Sequence, residues 1–366
     1  MDPRNRKLAR LLVHYSVTVK KGDKVWVDGF GHAPTPLIEA IVEEVVRAGG
    51  IPFYQLHDLK ITRKIIEHGS PRVWKSLGDL DRKRMSAMDA YIAVRGQENI
   101  FQYAGVPAEQ MQGYMRLYMD PVHIKQRVEK TKWVILRYPN PSFAQAAEMS
   151  DDDFADFFFR VCTLDYAKLS KKMNPLVRLM QRTKEIHIVG KDTDLMLNVS
   201  GQNWIKCDGK RNIPDGELFT SPKRTGVNGT IQYNTRTNYN GNAFGGIYFE
   251  VKRGKIVHAD CESGNPKKLN QILNTDPGAR YFGEFSFGLN PHIKREMLDI
   301  LFDEKIYGSI HLTPGNAYKE AFNGNKSAVH WDLVGIGHDV YADGKLIRKG
   351  RSWVHPSLKS LNPSNF

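Results

Sequence analysis

Apolar runs and amphipathic stretches alternate along the first half of the chain. The runs read as strands, and the stretches between them have a helical period, as in TPLIEAIVEEVVRAGG, where Thr35 is a candidate N-cap and Pro36 the first helical residue. The predicted strands are KVWVDGF, IPFYQLHD, MDAYIAVRG, KWVILRYPN and EIHIVG. Strands that alternate with helices predict an α/β domain with a mostly parallel sheet.

From about residue 190 the pattern changes to short strands joined by turn dipeptides. The predicted hairpin turns are Asn228-Gly229, Arg253-Gly254 and Asp343-Gly344. One helix is predicted over PHIKREMLDILFD, residues 291–303. The change of period predicts an α/β N-terminal domain over residues 1–190 and a β-rich α+β domain over 191–366.

Composition and charge narrow the class of protein. The 366 residues are 41% hydrophobic and carry a formal charge of +13, but the basic residues are scattered and accompany no nucleic-acid motif. The scattered positive charge therefore does not predict a nucleic-acid partner. No apolar run is long enough to cross a bilayer, so a membrane is not an expected partner either. The three cysteines include no CxxC pair, which predicts a reducing, cytoplasmic compartment and excludes a cysteine-framed zinc site.

A partial dinucleotide fingerprint stands near the N-terminus. VWVDGFGHAP follows a predicted strand and Asp58 ends the next one, but the place of the third glycine is taken by Pro34. Proline there removes an N–H near the phosphate position. We interpret the segment as a tight turn without a cofactor. The chain also has no Walker A, GxSxG or HExxH motif.

Candidate chemistry is concentrated in the second half, where four segments place ionisable groups beside turns or strands. They are RNIPDGELFTSP with Asp215 and Glu217, GARYFGEFSFGLNP with Glu284, YGSIHLTPGNAY with His311 and Tyr318, and SAVHWDLV with His330 and Asp332. Several carboxylates can neutralise two divalent cations, and histidines favour zinc, cobalt or manganese over magnesium. Taken singly, each segment also has an ordinary interpretation as an ion pair, a core histidine, a turn or packing.

In this order, NIPDGELFTSP, GARYFGEFSFGLNP, LFDEKIYGSIHLTPGNAY and SAVHWDLV resemble the thermophilic-type metalloaminopeptidases (aminopeptidase T and S). LLVHYSVTVKKGDKVWVDG is similar to the N-terminus of that family, so the resemblance covers almost the whole chain. It implies a homodimer, in which each chain has an α/β domain and a catalytic domain with two divalent metal ions (zinc, cobalt, manganese or magnesium). The implied substrates are peptides with a free N-terminus.

The resemblance also implies roles for individual residues. Glu284 would bridge the two ions, Tyr318 would hydrogen-bond the developing oxyanion, and Glu217 is the candidate for proton transfer to the leaving amine. The spacer between Glu304 and His311 is longer than in some relatives, so the role of Glu304 is the least defined. The implied metal ligands are Glu217, Glu284, Glu304, His311, His330 and Asp332.

Two other functions stay open at this stage. His311, His330 and Asp332 alone form the 2-His-1-carboxylate set of mononuclear non-haem iron, and ring-cleaving dihydroxypyridine dioxygenases resemble this fold distantly. One iron does not need Glu217 and Glu284, so their presence favours two metals and hydrolysis. The other alternative is a catalytically inactive binding or scaffold protein, which the occupied ligand positions disfavour.

Overall fold

The computed structural model describes residues 2–99, 101–239 and 241–366. The chain divides into two compact units. The first consists of Met1–Leu164 with Gly209–Ile213, and the second of Asp165–Asp208 with Pro214–Phe366.

The first unit is built on a parallel sheet, which confirms the predicted α/β class of the N-terminal region. Its strands, in the order β2-β1-β3-β4-β8, are β1 (Lys24–Phe30), β2 (Ile51–His57), β3 (Ala90–Arg95), β4 (Lys132–Arg137) and β8 (Asn212–Ile213). Its α-helices are α1 (Pro3–Arg10), α2 (Thr35–Arg47), α3 (Leu59–His68), α4 (Pro71–Ser86), α5 (Ala108–Tyr114), α6 (Pro141–Ala146) and α7 (Asp151–Cys162). Wider π-type helix continues α1 over Leu11–Ser16 and α5 over Met115–Val128.

The turn after β1 has the glycine and proline that the sequence singled out. Gly31 has a φ of +84°, and a Cβ there would lie 2.6 Å from the carbonyl oxygen of Gly96. Pro34 stands at the N-cap of α2, where it contributes no side-chain hydrogen bond. Asp58 caps α3 by accepting a hydrogen bond from the amide of Lys60. The close approach of the turn at Gly31 to Gly96 therefore accounts for the glycine at position 31.

The second unit contains a nine-stranded antiparallel sheet, which confirms the β-rich class of the C-terminal region. Its strands are β5 (Glu185–Gly190), β6 (Thr193–Asn198), β10 (Val227–Gln232), β11 (Arg236–Tyr239), β12 (Asn242–Lys252), β13 (Lys255–Ser263), β17 (Asp339–Ala342), β18 (Lys345–Lys349) and β19 (Ser352–Trp353). Strand order is β11-β12-β10-β6-β5-β17-β18-β19, and β13 pairs with β12. Helices α8 (Tyr166–Met180) and α9 (Pro266–Leu273) belong to the same unit.

The division between the units lies earlier in the chain than the predicted domain boundary. Residues 190 and 191 stand in the hairpin between β5 and β6, inside the second unit. The compact units separate instead between Leu164 and Asp165, because α8 packs on the β-rich unit. The change of hydrophobic period marks the point where strands resume after α8. The boundary between the units lies before α8.

A second antiparallel sheet of this unit carries the candidate chemistry. Strand order is β16-β15-β14-β9-β7. The strands are β7 (Ile205–Cys207), β9 (Glu217–Thr220), β14 (Phe282–Gly288), β15 (Ser309–Pro314) and β16 (Val334–Ile336). Every residue of β9, β14 and β15 is buried, so the polar side chains on these strands have been removed from water.

Two of the three predicted hairpin turns are confirmed and one is wrong. Arg253-Gly254 joins β12 to β13, and Asp343-Gly344 joins β17 to β18. Asn228-Gly229 lies inside β10 instead, paired on both sides. A Cβ on Gly229 would lie 2.0 Å from the carbonyl oxygen of Asp194, so this glycine permits a close approach of strands.

The helix predicted over residues 291–303 is also wrong over most of its length. Only α10 (Ile300–Asp303) is helical, and turns precede it. Leu298 has a φ of +55°, which interrupts a right-handed helix, and Asp299 then caps α10. Among the described residues, no helix is both long and apolar enough to span a membrane.

Candidate metal centre

The register of the second sheet brings three candidate ligands onto one buried face. Ser286 of β14 lies opposite His311 of β15, and Gly288 lies opposite Glu217 at the start of β9. Glu284 is two residues before Ser286, so both side chains point to the same face. Segments far apart in the sequence therefore supply neighbouring side chains.

His311 lies between two glutamates. Its Nε2 is 2.9 Å from Oε1 of Glu284 and 3.7 Å from Oε2 of Glu217. Ligand atoms of the three residues all lie within 4.8 Å of one another. Ser286 also donates a hydrogen bond to Oε2 of Glu217 at 3.2 Å.

His330 and Asp332 lie on the other side of Glu284 and face each other, as their spacing predicted. The segment is extended, with β structure limited to a bridge at His330 and to β16. Nε2 of His330 is 3.3 Å from Oδ1 of Asp332 and 3.9 Å from Oε2 of Glu284. Nδ1–H of His330 donates to the carbonyl of Asn316 at 2.8 Å, which leaves Nε2 directed at the carboxylates. Thr313 donates to Oδ1 of Asp332 at 2.7 Å.

Among the described residues, Glu304 contacts the group through a lysine that sequence analysis did not identify. Lys305 is completely buried, and its Nζ lies 3.2 Å from Oε1 of Glu217 and also donates to Glu304. Each of the other five predicted ligands has a direct contact within the group. The structure therefore places the six predicted ligands and Lys305 in one array of seven side chains, in the order Glu304, Lys305, Glu217, His311, Glu284, His330, Asp332.

Burial and the neighbouring charges shift the pKa values in this array. Burial raises the pKa of Glu284. Burial lowers the pKa of His330, but the Asp332 carboxylate outweighs this and raises it to about 9. Burial also opposes ionisation of Asp332, yet the charged His330 holds the pKa of this carboxyl well below its usual range. In the metal-free protein, the protonated imidazole of His330 thus compensates the Asp332 carboxylate, and cation binding has to displace that proton.

The donor atoms fit a divalent cation. Among the described residues, Oε2 of Glu284 and Nδ1 of His311 are buried without a hydrogen-bond partner. A buried carboxylate oxygen without a donor is costly, and a cation in contact with it removes that cost. The mixture of carboxylate oxygens and imidazole nitrogens suits zinc, cobalt or manganese.

Cys207 forms a second potential donor group with Asp215 and Glu217, and sequence analysis did not identify it. Desolvation and the adjacent Glu217 raise the pKa of the Cys207 thiol well above its usual value. A protonated thiol is a poor metal ligand. The group around Glu284 and His311 is therefore the better cation site.

Tyr318 lies next to His330 and lines a cavity. Its ring packs on that of His330, with centroids 4.6 Å apart, and its side chain is 46% exposed. The cavity has a volume of about 1010 Å³ and is lined by Tyr318, Asn316 and the cationic side chains of Arg224, Lys319 and Lys326. A small peptide reaching Tyr318 through this cavity would be next to His330.

Comparison with known protein families and sequences gives a consistent result. The thermophilic metalloprotease (M29) family matches residues 1–348. Aminopeptidase T of Thermus thermophilus is 27% identical over 412 residues, covering 95% of this chain and 98% of that protein. Aminopeptidase 2 of Geobacillus stearothermophilus is 36% identical over 153 residues, 36% of each chain.

Solved structures share the fold over nearly the whole chain. Wild-type AmpT from Thermus thermophilus matches with a TM-score of 0.82 at 22% identity, covering 96% of this chain and 99% of that one. The 2,5-dihydroxypyridine dioxygenase from Pseudomonas putida matches with a TM-score of 0.62 at 14% identity, covering 97% and 98%. The fold is therefore found in proteins with different chemistry, and function has to be argued from the site.

Proposed function

This chain belongs to the thermophilic metalloprotease (M29) family and is a metalloaminopeptidase, and we propose that it releases N-terminal residues from peptides at a centre of two divalent cations. The observation that supports this most strongly is the contact of His311 with both Glu217 and Glu284. Two cations close together repel each other, and several shared carboxylates offset that repulsion.

We propose that the six predicted ligands in the array divide around Glu284 as the shared ligand. His311, His330 and Asp332 would hold one ion with Glu284, and Glu217 with Glu304 would hold the other. Bound ions of this kind polarise a carbonyl and lower the pKa of water. Carboxylates that are already positioned by Ser286 and Thr313 need little rearrangement to bind them.

The chain's own residues supply the remaining functions. The peptide would occupy the cavity beside Asn316 and Tyr318, with its free amine directed toward the carboxylates. The Tyr318 hydroxyl would donate a hydrogen bond to the oxygen on which negative charge develops. Glu217 is our candidate for carrying the proton to the leaving amine.

Replacing Tyr318 with phenylalanine is expected to lower kcat about 10- to 100-fold with little change in KM, because the lost hydrogen bond forms only in the transition state. The matched control is Tyr341→Phe, since Tyr341 packs on His187 in the same unit with ring centroids 5.7 Å apart. Steady-state kinetics on an aminoacyl-p-nitroanilide measure both constants. Unchanged kcat in Tyr318→Phe, or an equal loss in the control, would remove Tyr318 from the mechanism.

Chelation and metal add-back test the proposed function as a whole. We expect the protein treated with EDTA to lose all hydrolysis of aminoacyl substrates and to recover it with Zn²⁺, Co²⁺ or Mn²⁺. Substrates with an acetylated amine should stay uncleaved throughout, because the free amine is proposed to bind among the carboxylates. Cleavage of acetylated peptides at the same rate, or full activity after chelation, would contradict the proposal.

A mononuclear iron oxygenase is the second candidate, and two observations favour it. His311 and His330 adjoin Glu284 in the array, Asp332 adjoins His330, and the dioxygenase of Pseudomonas putida shares the fold. The buried Glu217 is surplus to a single-iron site, which is why we favour hydrolysis. Metal analysis separates the two candidates, since two zinc-like ions per chain support the peptidase and one iron supports the oxygenase.

The homodimer and the cytoplasmic location stay predictions. Light scattering coupled to gel filtration measures the first directly, with twice the chain mass of 41.7 kDa expected.

A further inference from the structure

We infer that the buried ammonium group of Lys305 occupies the second cation position in the metal-free protein, so that the two divalent ions bind in sequence and with unequal affinity. This inference rests on the proposed function, because it concerns how the proposed centre is loaded. It assigns to Lys305 a positioning role: setting the affinity of one particular ion.

Lys305 contacts only one half of the ligand set. Its Nζ lies 3.2 Å from Oε1 of Glu217 and bonds Glu304, the two carboxylates proposed for the second ion. Glu284, His311, His330 and Asp332 have their own mutual contacts within 3.9 Å and none with Lys305 among the described residues. An ion bound by these four therefore leaves Lys305 in place.

Burial and backbone hydrogen bonds hold Lys305 in the site. Lys305 is completely buried, its N–H donates to the carbonyl of Phe302 at 3.0 Å, and its own carbonyl accepts from Asn290 at 3.1 Å. Gly288, opposite Glu217, permits this arrangement, because a Cβ there would lie 2.1 Å from the carbonyl oxygen of Ile306. The position of Lys305 beside Glu217 is therefore determined by the fold.

The balance of charge in the array determines how strongly each ion binds. Four carboxylates in the array carry four negative charges, whereas two divalent ions and one ammonium together carry five positive charges. The second ion has to take Glu217 and Glu304 from Lys305 and then remain within a few ångströms of its positive charge. The first ion does not have to displace the ammonium, so its affinity should depend on Lys305 much less than that of the second ion does.

Titration of the metal-free protein with Mn²⁺ alone tests the inference by calorimetry, with bound ions counted by equilibrium dialysis. We expect the wild-type chain to bind a second ion at least about tenfold more weakly than the first. In Lys305→Met and Lys305→Gln the second ion should bind at least about tenfold more tightly than in the wild type, with the first much less affected. Lys305→Arg keeps the positive charge, so the second ion should still bind more weakly than the first.

Lys206→Met is the control for removing a lysine charge, because Lys206 is partly buried in the same unit and bonds Ser170 and Asn174 instead of the array. Equal affinities for both ions in the wild type would overturn the inference even if neither neutral variant folds without metal. Neutral variants that fold by circular dichroism but bind the second ion no more tightly would also overturn it. A wild-type chain that binds no divalent ion would instead refute the proposed function.

Discussion

Glu284→Gln is expected to abolish peptide hydrolysis and to stabilise the metal-free fold at the same time. Glutamine keeps the shape of the side chain but cannot be shared as an anion between two cations. We expect kcat/KM to fall roughly 10³-fold or more, and the bound metal to fall by at least about one ion per chain. Kinetics and metal analysis of the purified variant measure both losses.

The expected gain in stability follows from the sign of the pKa shift. Burial raises the pKa of Glu284 in the folded chain above its ordinary value, so the fold prefers the protonated carboxyl. The contribution of this residue to stability is therefore complete at acidic pH and is lost as pH rises through the folded pKa. At pH 7 the neutral glutamine avoids that loss, and metal-free Glu284→Gln should be more stable to urea than the wild type.

A matched control separates the site from the general effect of removing a negative charge. Glu250 lies half-buried on β12, in the other sheet of the same unit, so Glu250→Gln should leave activity and metal content unchanged. Retained activity with full metal content in Glu284→Gln would exclude the two-cation centre. A metal-free variant less stable than the wild type would show that the main role of Glu284 is to stabilise the fold through an ion pair.

Candidate ligands could be predicted from the sequence where one short segment carries the whole signal. His330 and Asp332 are two residues apart in an extended segment, so alternation alone places them together, and the structure has them 3.3 Å apart. Glu284 and His311 each lie in a strand whose neighbouring residues in the sequence are mostly apolar. A buried ionisable group in such a strand needs a partner. Their convergence rested on the family resemblance, because no local pattern gives strand register.

Lys305 could not be predicted by the same reasoning. In LFDEKIYG it follows two acidic residues at a turn, a position where lysine is usually exposed. Its burial depends on Gly288 and Asn290, which come from another strand and the loop after it. A non-local approach of this kind leaves no periodic signal in the sequence.

The mispredicted elements have the same physical origin. Ile293 and Met297 are four residues apart and buried, which is the spacing of a helix face, but the positive φ of Leu298 turns the chain between them and α10. Asp303 accepts a hydrogen bond from the amide of Met297 at 2.6 Å and so stabilises that turn. Tertiary contacts therefore override a helical period that the sequence alone supports.

Gly315→Ala is expected to damage both the fold and the site, because this glycine lies where β15 meets the segment that carries His330. Gly315 has a φ of +108°, and a Cβ there would lie 2.0 Å from the carbonyl oxygen of Val329. Alanine would therefore force the two segments apart in addition to straining the backbone. We expect a loss of about 3 kcal/mol in the free energy of unfolding, measured with urea.

The expected effect on activity follows from the residues next to Gly315. The carbonyl of Asn316 accepts the Nδ1–H of His330 at 2.8 Å, and Gly315 itself pairs with His330 in an isolated bridge. Moving either segment changes the direction of Nε2 toward Glu284, and kcat/KM should fall about 100-fold even in the fraction that stays folded. Activity is therefore compared at a temperature where circular dichroism shows both proteins folded.

Gly344→Ala is the control that separates backbone strain from the clash. Gly344 has a φ of +76° in the turn between β17 and β18 of the same unit, but a Cβ there would have no neighbour within 4 Å. Strain alone should cost about 1 kcal/mol and leave kcat/KM unchanged. Equal losses in the two variants would mean that the approach of Gly315 to Val329 does not position His330, and the site would then depend on the strands of the sheet alone.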